Sequence, residues 1–460
     1  MSRLKKYRKH LAAALMIIAL LAAALLVMMP KEEAPSSLVT PAPVGLTVTT
    51  EEQPASFSPV LSWKKDADAV YYEMEFFAEK PEDLSDTQVS TEAIYHTAEI
   101  FQNHYNPPLQ LFAEKYLGKR PIYWRVRAID FNGDPYTPFS ELQELWTSPD
   151  VTPMTAPIPL SHYGEGNGSV LLYPVYHWIP QSSAKHYEVA LYLDNPETNP
   201  EAERADTLYS DTAELYDPFS RPGNQGYYWR VHSLDALGNP IGDWSEVCHF
   251  RIAPDDDWEV AVLGDSISHG GGHFSYGPED FEFSWLHYLN FPTLNLSESG
   301  NTVQMTLERF DRDVLPFHPR YLLIMTGSNS LRAGEDPQVV IEDLQEMQRR
   351  CRDAGIRPIL MTLPAINPAN IDHVFNEETT EDWRNRFAIV NDYIRTQVHI
   401  DTAAAFECPN GVLPTMYALD GLHPDVLGKR LMGEKVNAVW ADVKQQADDA
   451  MTRMSASDDE

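Results

Sequence analysis

The stretch Val260-Ala261-Val262-Leu263-Gly264-Asp265-Ser266-Ile267-Ser268 decides how the C-terminal part of this chain folds. Four apolar residues in a row leave no polar face, so the segment reads as a parallel strand covered on both sides. Gly264 ends the run and lets the chain turn sharply out of a sheet. Similar runs follow at Tyr321-Leu322-Leu323-Ile324-Met325 and Pro358-Ile359-Leu360-Met361, and a shorter strand-like stretch spans Thr293 to Leu296. Helical periods lie between them. After Asp336, residues Val339, Val340, Leu344, Met347 and Cys351 share one face, and Gly355 stops that helix; Trp383, Phe387, Val390 and Ile394 mark another. Alternating strand and helix predicts a doubly wound α/β domain over residues 254–447, with ligands at the carboxyl ends of its strands.

Residues able to carry chemistry sit at those ends. Ser266 follows the first strand, with its backbone N–H free near a helix start. A serine hydroxyl is a weak nucleophile and needs a base. Asp420-Gly421-Leu422-His423-Pro424 supplies an imidazole and, three residues before it, a carboxylate able to fix its tautomer and stabilise its cation. Attack on an ester creates a negative oxygen that needs donors. The backbone N–H groups of Ser266 and of Gly300, in Ser297-Glu298-Ser299-Gly300-Asn301, are candidates, as is the side-chain amide of Asn329 in Gly327-Ser328-Asn329-Ser330. Each motif alone resembles an ordinary turn; the ordered set Ser, Gly, Asn, Asp, His does not.

This set resembles the SGNH or GDSL hydrolases, over about Trp258 to Ala447. The resemblance implies a flavodoxin-like α/β fold, Ser266, Asp420 and His423 as the catalytic triad, and Ser266, Gly300 and Asn329 as oxyanion-hole donors, with no metal and no organic cofactor. Two positions depart from the family pattern: GDSIS replaces GDSL, and Ser330 stands where an Asp is usual, which puts the rigidity of that loop in question. His269, His273, Tyr276 and Trp285 are candidate substrate-binding residues. The alternatives are a metal site or rim position for the two histidines, and burial in the core for the two aromatics.

Upstream lies an internal repeat. Trp63 precedes Tyr72-Glu73 as Trp178 precedes Tyr187-Glu188, and Tyr123-Trp124-Arg125-Val126-Arg127-Ala128-Ile129-Asp130 matches Tyr228-Trp229-Arg230-Val231-His232-Ser233-Leu234-Asp235. Period-two alternation in these strands predicts two antiparallel β-sandwiches, over 44–149 and 150–253. The early Trp and the late YWRV strand resemble fibronectin type III modules. Such modules act as stalks or spacers, or use exposed aromatics to bind glycan.

The chain has 460 residues, 43% of them hydrophobic, enough for several cores. Its formal net charge of −33 opposes nucleic-acid binding. Three cysteines make no disulfide framework. The basic stretch Met1 to His10 precedes an uncharged run, Leu11 to Met29, which as a helix reaches roughly 28 Å, about the thickness of a bilayer core. Residues 1–29 therefore read as a signal anchor, with a cleaved signal peptide as the alternative, and the rest of the chain as exported. A Pro/Ser/Ala-rich linker (30–43) follows, and an acidic tail is expected over 448–460. The expected function is a membrane-tethered esterase acting on an acetylated extracellular or cell-wall glycan. Lipid or lysophospholipid ester cleavage, acyl transfer onto a glycan and a non-catalytic surface binding protein are the alternatives.

Overall fold

The computed structural model of the chain describes residues 40–273 and 275–458. The expected anchor and most of the linker lie outside the described residues. Among these, no helix is long and apolar enough to cross a membrane.

The first β-module pairs four antiparallel strands in the spatial order Tyr95–Ile100, Tyr71–Phe77, Ile122–Ile129, Gln143–Leu145, faced by the short pair Leu61–Ser62 and His104–Tyr105. Alternation puts Tyr72, Met74 and Phe76 against Trp63 and Trp124, all buried. The alternate face is buried as well. Glu75 pairs with Arg125 at 2.5 Å and Glu73 with Arg127 at 2.5 Å. Both guanidinium groups also lie over Phe139, at 4.0 and 4.4 Å from its ring centre. Arginine forks bonded to carboxylates and loop carbonyls can be buried where lone charges cannot.

The second β-module repeats the plan. Strands Arg204–Ser210, His186–Tyr192 and Gly223–Leu234 run side by side, and Gly223–Leu234 also pairs with Pro240–Trp244 and Cys248–Ile252. A second sheet orders Glu214–Tyr216, Val175–Ile179 and Ile158–Pro159. Trp178 and Trp229 are core residues.

The α/β domain carries a parallel five-stranded sheet in the order Leu294–Asn295, Val260–Gly264, Tyr321–Met325, Arg357–Met361, His399–Ile400. The first strand in sequence lies between the second and third, so the direction of winding reverses at the end of Val260–Gly264. Such a switch point opens a crevice for ligands. Helix Trp383–Arg395 buries the apolar face read from the sequence, and Pro337–Asp353 buries Val340, Leu344, Met347 and Cys351 of its own; Val339, expected with them, is exposed in the first turn, and Ile341 is buried instead. The last helix runs Val426–Asp458, so the expected tail is not separate at its start: the helix continues into it as far as Asp458, and Asp448 bonds to Arg320, Tyr321 and Arg357.

Neither module stands off as a free stalk. Everything described from Ala42 onward forms one compact unit. The second module shares a continuous hydrophobic core with the α/β domain. Its Leu171 forms a parallel bridge to Asn295, extending the edge of the sheet, with Leu172 N–H donating to Asn295 O at 2.8 Å. The first module docks through Lys65, paired with Asp280 and Glu282, and through Tyr276 O–H, which donates to Asp66 O at 2.5 Å. Period-two patterning shows which face of a strand is apolar; it does not reveal what covers the outer surfaces of the modules.

Candidate active site

Gly264 is needed for close approach rather than for a left-handed turn. A Cβ there would sit 2.3 Å from Met325 O on the neighbouring strand. Past it, Asp265 caps the short helix Ser266–His269 by accepting from Ile267 N–H. This turn places the Ser266 hydroxyl over the switch point.

Ser266 Oγ lies 2.8 Å from His423 Nε2, and His423 Nδ1 lies 2.7 Å from Asp420 Oδ2. The other oxygen of Asp420 accepts from the backbone N–H groups of Leu422 and His423, both at 2.8 Å. One buried carboxylate thus shapes the loop and orients the imidazole, whose Nδ1–H it accepts, leaving Nε2 free to take the serine proton. Burial works against the charge of Asp420. The nearby His423, its hydrogen bond and the two backbone donors outweigh it and hold the carboxyl below its usual range.

Gly300, at φ +84°, occupies the left-handed region that favours glycine, and no atom within 4 Å would meet a Cβ there. Conformation, not space, selects it. Asn329 donates from Nδ2 to Asn301 O at 3.0 Å and accepts Arg332 Nε–H at 3.3 Å, so its amide is fixed with the nitrogen towards the Gly300 loop. Ser266, His423, Gly300 and Asn329 line one cavity of about 280 Å³, with Tyr216, Arg332, Phe375 and Glu377 at its edges. Ser330 accepts Val303 N–H at 3.0 Å and is buried. Standing where the hydrolases that the sequence resembles usually have an Asp, it ties the Asn329 loop to the Gly300 segment, a non-local role rather than that of a local turn residue.

The four substrate-binding candidates part company. His273 and Tyr276 line the cavity. His269 is buried; its Nε2–H donates to Tyr173 O at 2.8 Å and its Nδ1 accepts from Ser299 Oγ at 2.9 Å. Burial pulls its pKa down to about 4, so it serves as a neutral strut between the nucleophile helix, the Gly300 loop and the second module. Trp285 is not a pocket residue: it is fully buried, with Nε1–H donating to Ser268 Oγ. Among the described residues, no cluster of histidine, cysteine and carboxylate suited to a metal ion occurs.

Sequence reasoning missed the supports beneath the site. Arg309, buried, donates to Asn301 Oδ1 (2.6 Å), Leu296 O (2.6 Å), Gly264 O (2.9 Å) and Asp313 (3.2 Å), joining the ends of two strands to the oxyanion loop. Lys429, fully buried, donates to Ile267 O at 2.7 Å; burial lowers its pKa to about 7 despite Asp425, Asp265 and Asp420 nearby. Burial raises Asp265 to about 6. No local pattern marks these residues, since their partners are remote in sequence.

Residues 262–431 match the family model of the GDSL-like Lipase/Acylhydrolase family. The uncharacterized lipoprotein YqeF of Bacillus subtilis is 32% identical over 130 residues, covering 25% of this chain and 53% of that protein. The chain thus spans about half the length of that relative. The Escherichia coli protein thioesterase 1/protease 1/lysophospholipase L1 is 25% identical over 178 residues, 38% of this chain and 79% of that one. The crystal structure of the lipase/acylhydrolase from Enterococcus faecalis covers 41% of this chain and 95% of its own, at 18% identity and a TM-score of 0.33. The matched segment contains Ser266, Gly300, Asn329, Asp420 and His423, so over residues 262–431 this chain carries a GDSL-like lipase/acylhydrolase domain.

Proposed function

We propose that the protein is an exported, membrane-tethered carboxylic-ester hydrolase that removes O-acetyl groups from an extracellular or cell-wall polysaccharide through an acyl-enzyme at Ser266. One observation carries the ester-hydrolase part of this reading: the relay Ser266–His423–Asp420, at 2.8 and 2.7 Å, opens into the same cavity as Gly300 and Asn329. Ser266 Oγ attacks the ester carbonyl as its proton passes to His423 Nε2. The oxyanion is held by the N–H groups of Ser266 and Gly300 and by the Asn329 amide. Collapse expels the alcohol, which takes the proton back from His423. Water, deprotonated by the same imidazole, then attacks the acyl-enzyme; the bond from Ser266 Oγ to the acyl carbon breaks, His423 returns the proton to Ser266 Oγ, and the acid is released.

A cavity of about 280 Å³ suits a short acyl group better than a long chain. The basic flank and uncharged run at the N-terminus support export and tethering. On their repeated Trp and YWRV strands we read the β-modules as fibronectin type III-like.

The test is Ser266→Ala. It should lower turnover of a small acetyl ester by several orders of magnitude and abolish labelling by a fluorophosphonate probe. A folded variant with wild-type rates would refute the assignment. Acetate release from acetylated polysaccharide, compared with fatty-acid release from phospholipid, tests the substrate class.

A further inference from the structure

The second β-module reaches the nucleophile cavity through one side chain. Tyr216 ends the strand Glu214–Tyr216. Leu215, between them, is buried in the module's own core, so Glu214 and Tyr216 face the other way, towards the α/β domain. Glu214 lies against Gly277, where an added Cβ would come within 2.1 Å of its carboxylate oxygen. Tyr216 stands edge-on to His269, ring centres 6.0 Å apart, and lines the cavity that holds Ser266 and His423.

The backbone that carries the ring is held there. Asp217, next in sequence and buried, accepts from Tyr176 O–H at 2.8 Å and from Arg221 at 2.7 and 2.9 Å, while its own N–H donates to Pro174 O. The same module is fastened to the domain by the His269–Tyr173 and Leu172–Asn295 hydrogen bonds. The backbone at Tyr216 is therefore anchored beside the cavity, and its ring forms part of the cavity wall.

Its exposure locates it further. The cavity's inner residues His273, Tyr276 and Leu422 are 0%, 4% and 5% exposed, whereas Tyr216 is 43% exposed. With a small acyl group on Ser266 lodged against this buried inner wall, the alcohol half of the ester would project past the lip. There Tyr216 offers a flat apolar face with a polar tip, a surface suited to stacking on a ring.

We propose that Tyr216 is a specificity-determining residue whose ring stacks on the alcohol half of the substrate, so that the second β-module completes the ester site and selects esters of ring-shaped alcohols such as sugars. The inference rests on the esterase reading above. The test compares kcat/KM for 1-naphthyl acetate, an ester of a flat-ringed alcohol, with that for ethyl acetate, using the full chain. In Tyr216→Ala the ratio of the two should fall about tenfold, the size of one aromatic stacking contact, mainly through KM for the naphthyl ester. Tyr216→Phe, which keeps the ring, should hold the ratio near wild type. An unchanged ratio in Tyr216→Ala, or an equal fall in Tyr216→Phe, would overturn the inference while the esterase reading stands. A wild type inert towards both esters would overturn the esterase reading and the inference with it. Hydrolysis of naphthyl acetate without acetate release from acetylated xylan would remove the glycan assignment, and the naphthyl-to-ethyl ratio would still decide the role of Tyr216.

Discussion

Replacing Arg309 by Met tests whether the oxyanion loop is held from beneath. Methionine fills similar space but donates no hydrogen bond. Asn301 Oδ1 and Leu296 O each lose a 2.6 Å donor, and Gly264 O loses one at 2.9 Å, though it still accepts Glu298 N–H at 3.2 Å. Asp313 keeps Tyr173 O–H and Arg312, so its charge stays paired. Leaving a buried acceptor unsatisfied costs about 1–3 kcal/mol, so two orphaned acceptors and one weakened one amount to about 3–5 kcal/mol. Catalysis should suffer as well. Asn301 O accepts from Asn329 Nδ2, so release of Asn301 shifts both Gly300 and the Asn329 amide. Loss of one oxyanion donor typically lowers kcat about 10²–10³-fold. Denaturant unfolding and steady-state hydrolysis of a small acetyl ester measure the two effects, and Arg309→Lys, which keeps the charge but not the fork, should fall between. A Met variant with an unshifted unfolding midpoint and unchanged kcat would refute the argument that this side chain positions the loop.

Asp420→Asn should lower kcat for the same ester about 10⁴-fold with KM little altered, because an amide N–H facing Nδ1 stabilises the wrong tautomer of His423; a loss below tenfold would contradict the relay. Gly264→Ala forces a methyl to within 2.3 Å of Met325 O, so it should destabilise the domain by about 3 kcal/mol or more, measured by denaturant unfolding; a neutral result would show that the strands can part there. Glu214 and Glu279 both have pKa values raised from 4.5 to about 8, first by burial and then by neighbouring carboxylates, Asp280 among them. The folded state therefore binds more protons than the unfolded chain between those values. The stability these groups contribute is complete below about pH 4.5 and is lost as pH rises through 8. Converting both to Gln should flatten the change in unfolding midpoint between pH 5 and pH 8, and identical pH profiles for wild type and variant would rule the two groups out.

The sequence by itself determined the local plan. Runs apolar on both faces gave the parallel strands, and a period of 3.6 placed helices Pro337–Asp353 and Trp383–Arg395. The repeated Trp and YWRV signals placed two β-modules, and the ordered Ser, Gly, Asn, Asp and His marked one site. These features are legible because they depend on neighbours in the chain: the patterning of a strand or helix, the three-residue reach from Asp420 to His423, the turn after a strand. Only the tertiary structure decided what was distant in sequence. It put Trp285 in the core, turned His269 into a strut to Tyr173, set Arg309 under two strand ends, let Ser330 hold Val303, and brought Tyr216 from another module to the mouth of the cavity. The physical reason is that packing and buried hydrogen bonds choose partners by proximity in the folded state, and periodicity along the chain encodes which face a residue occupies but not what meets that face.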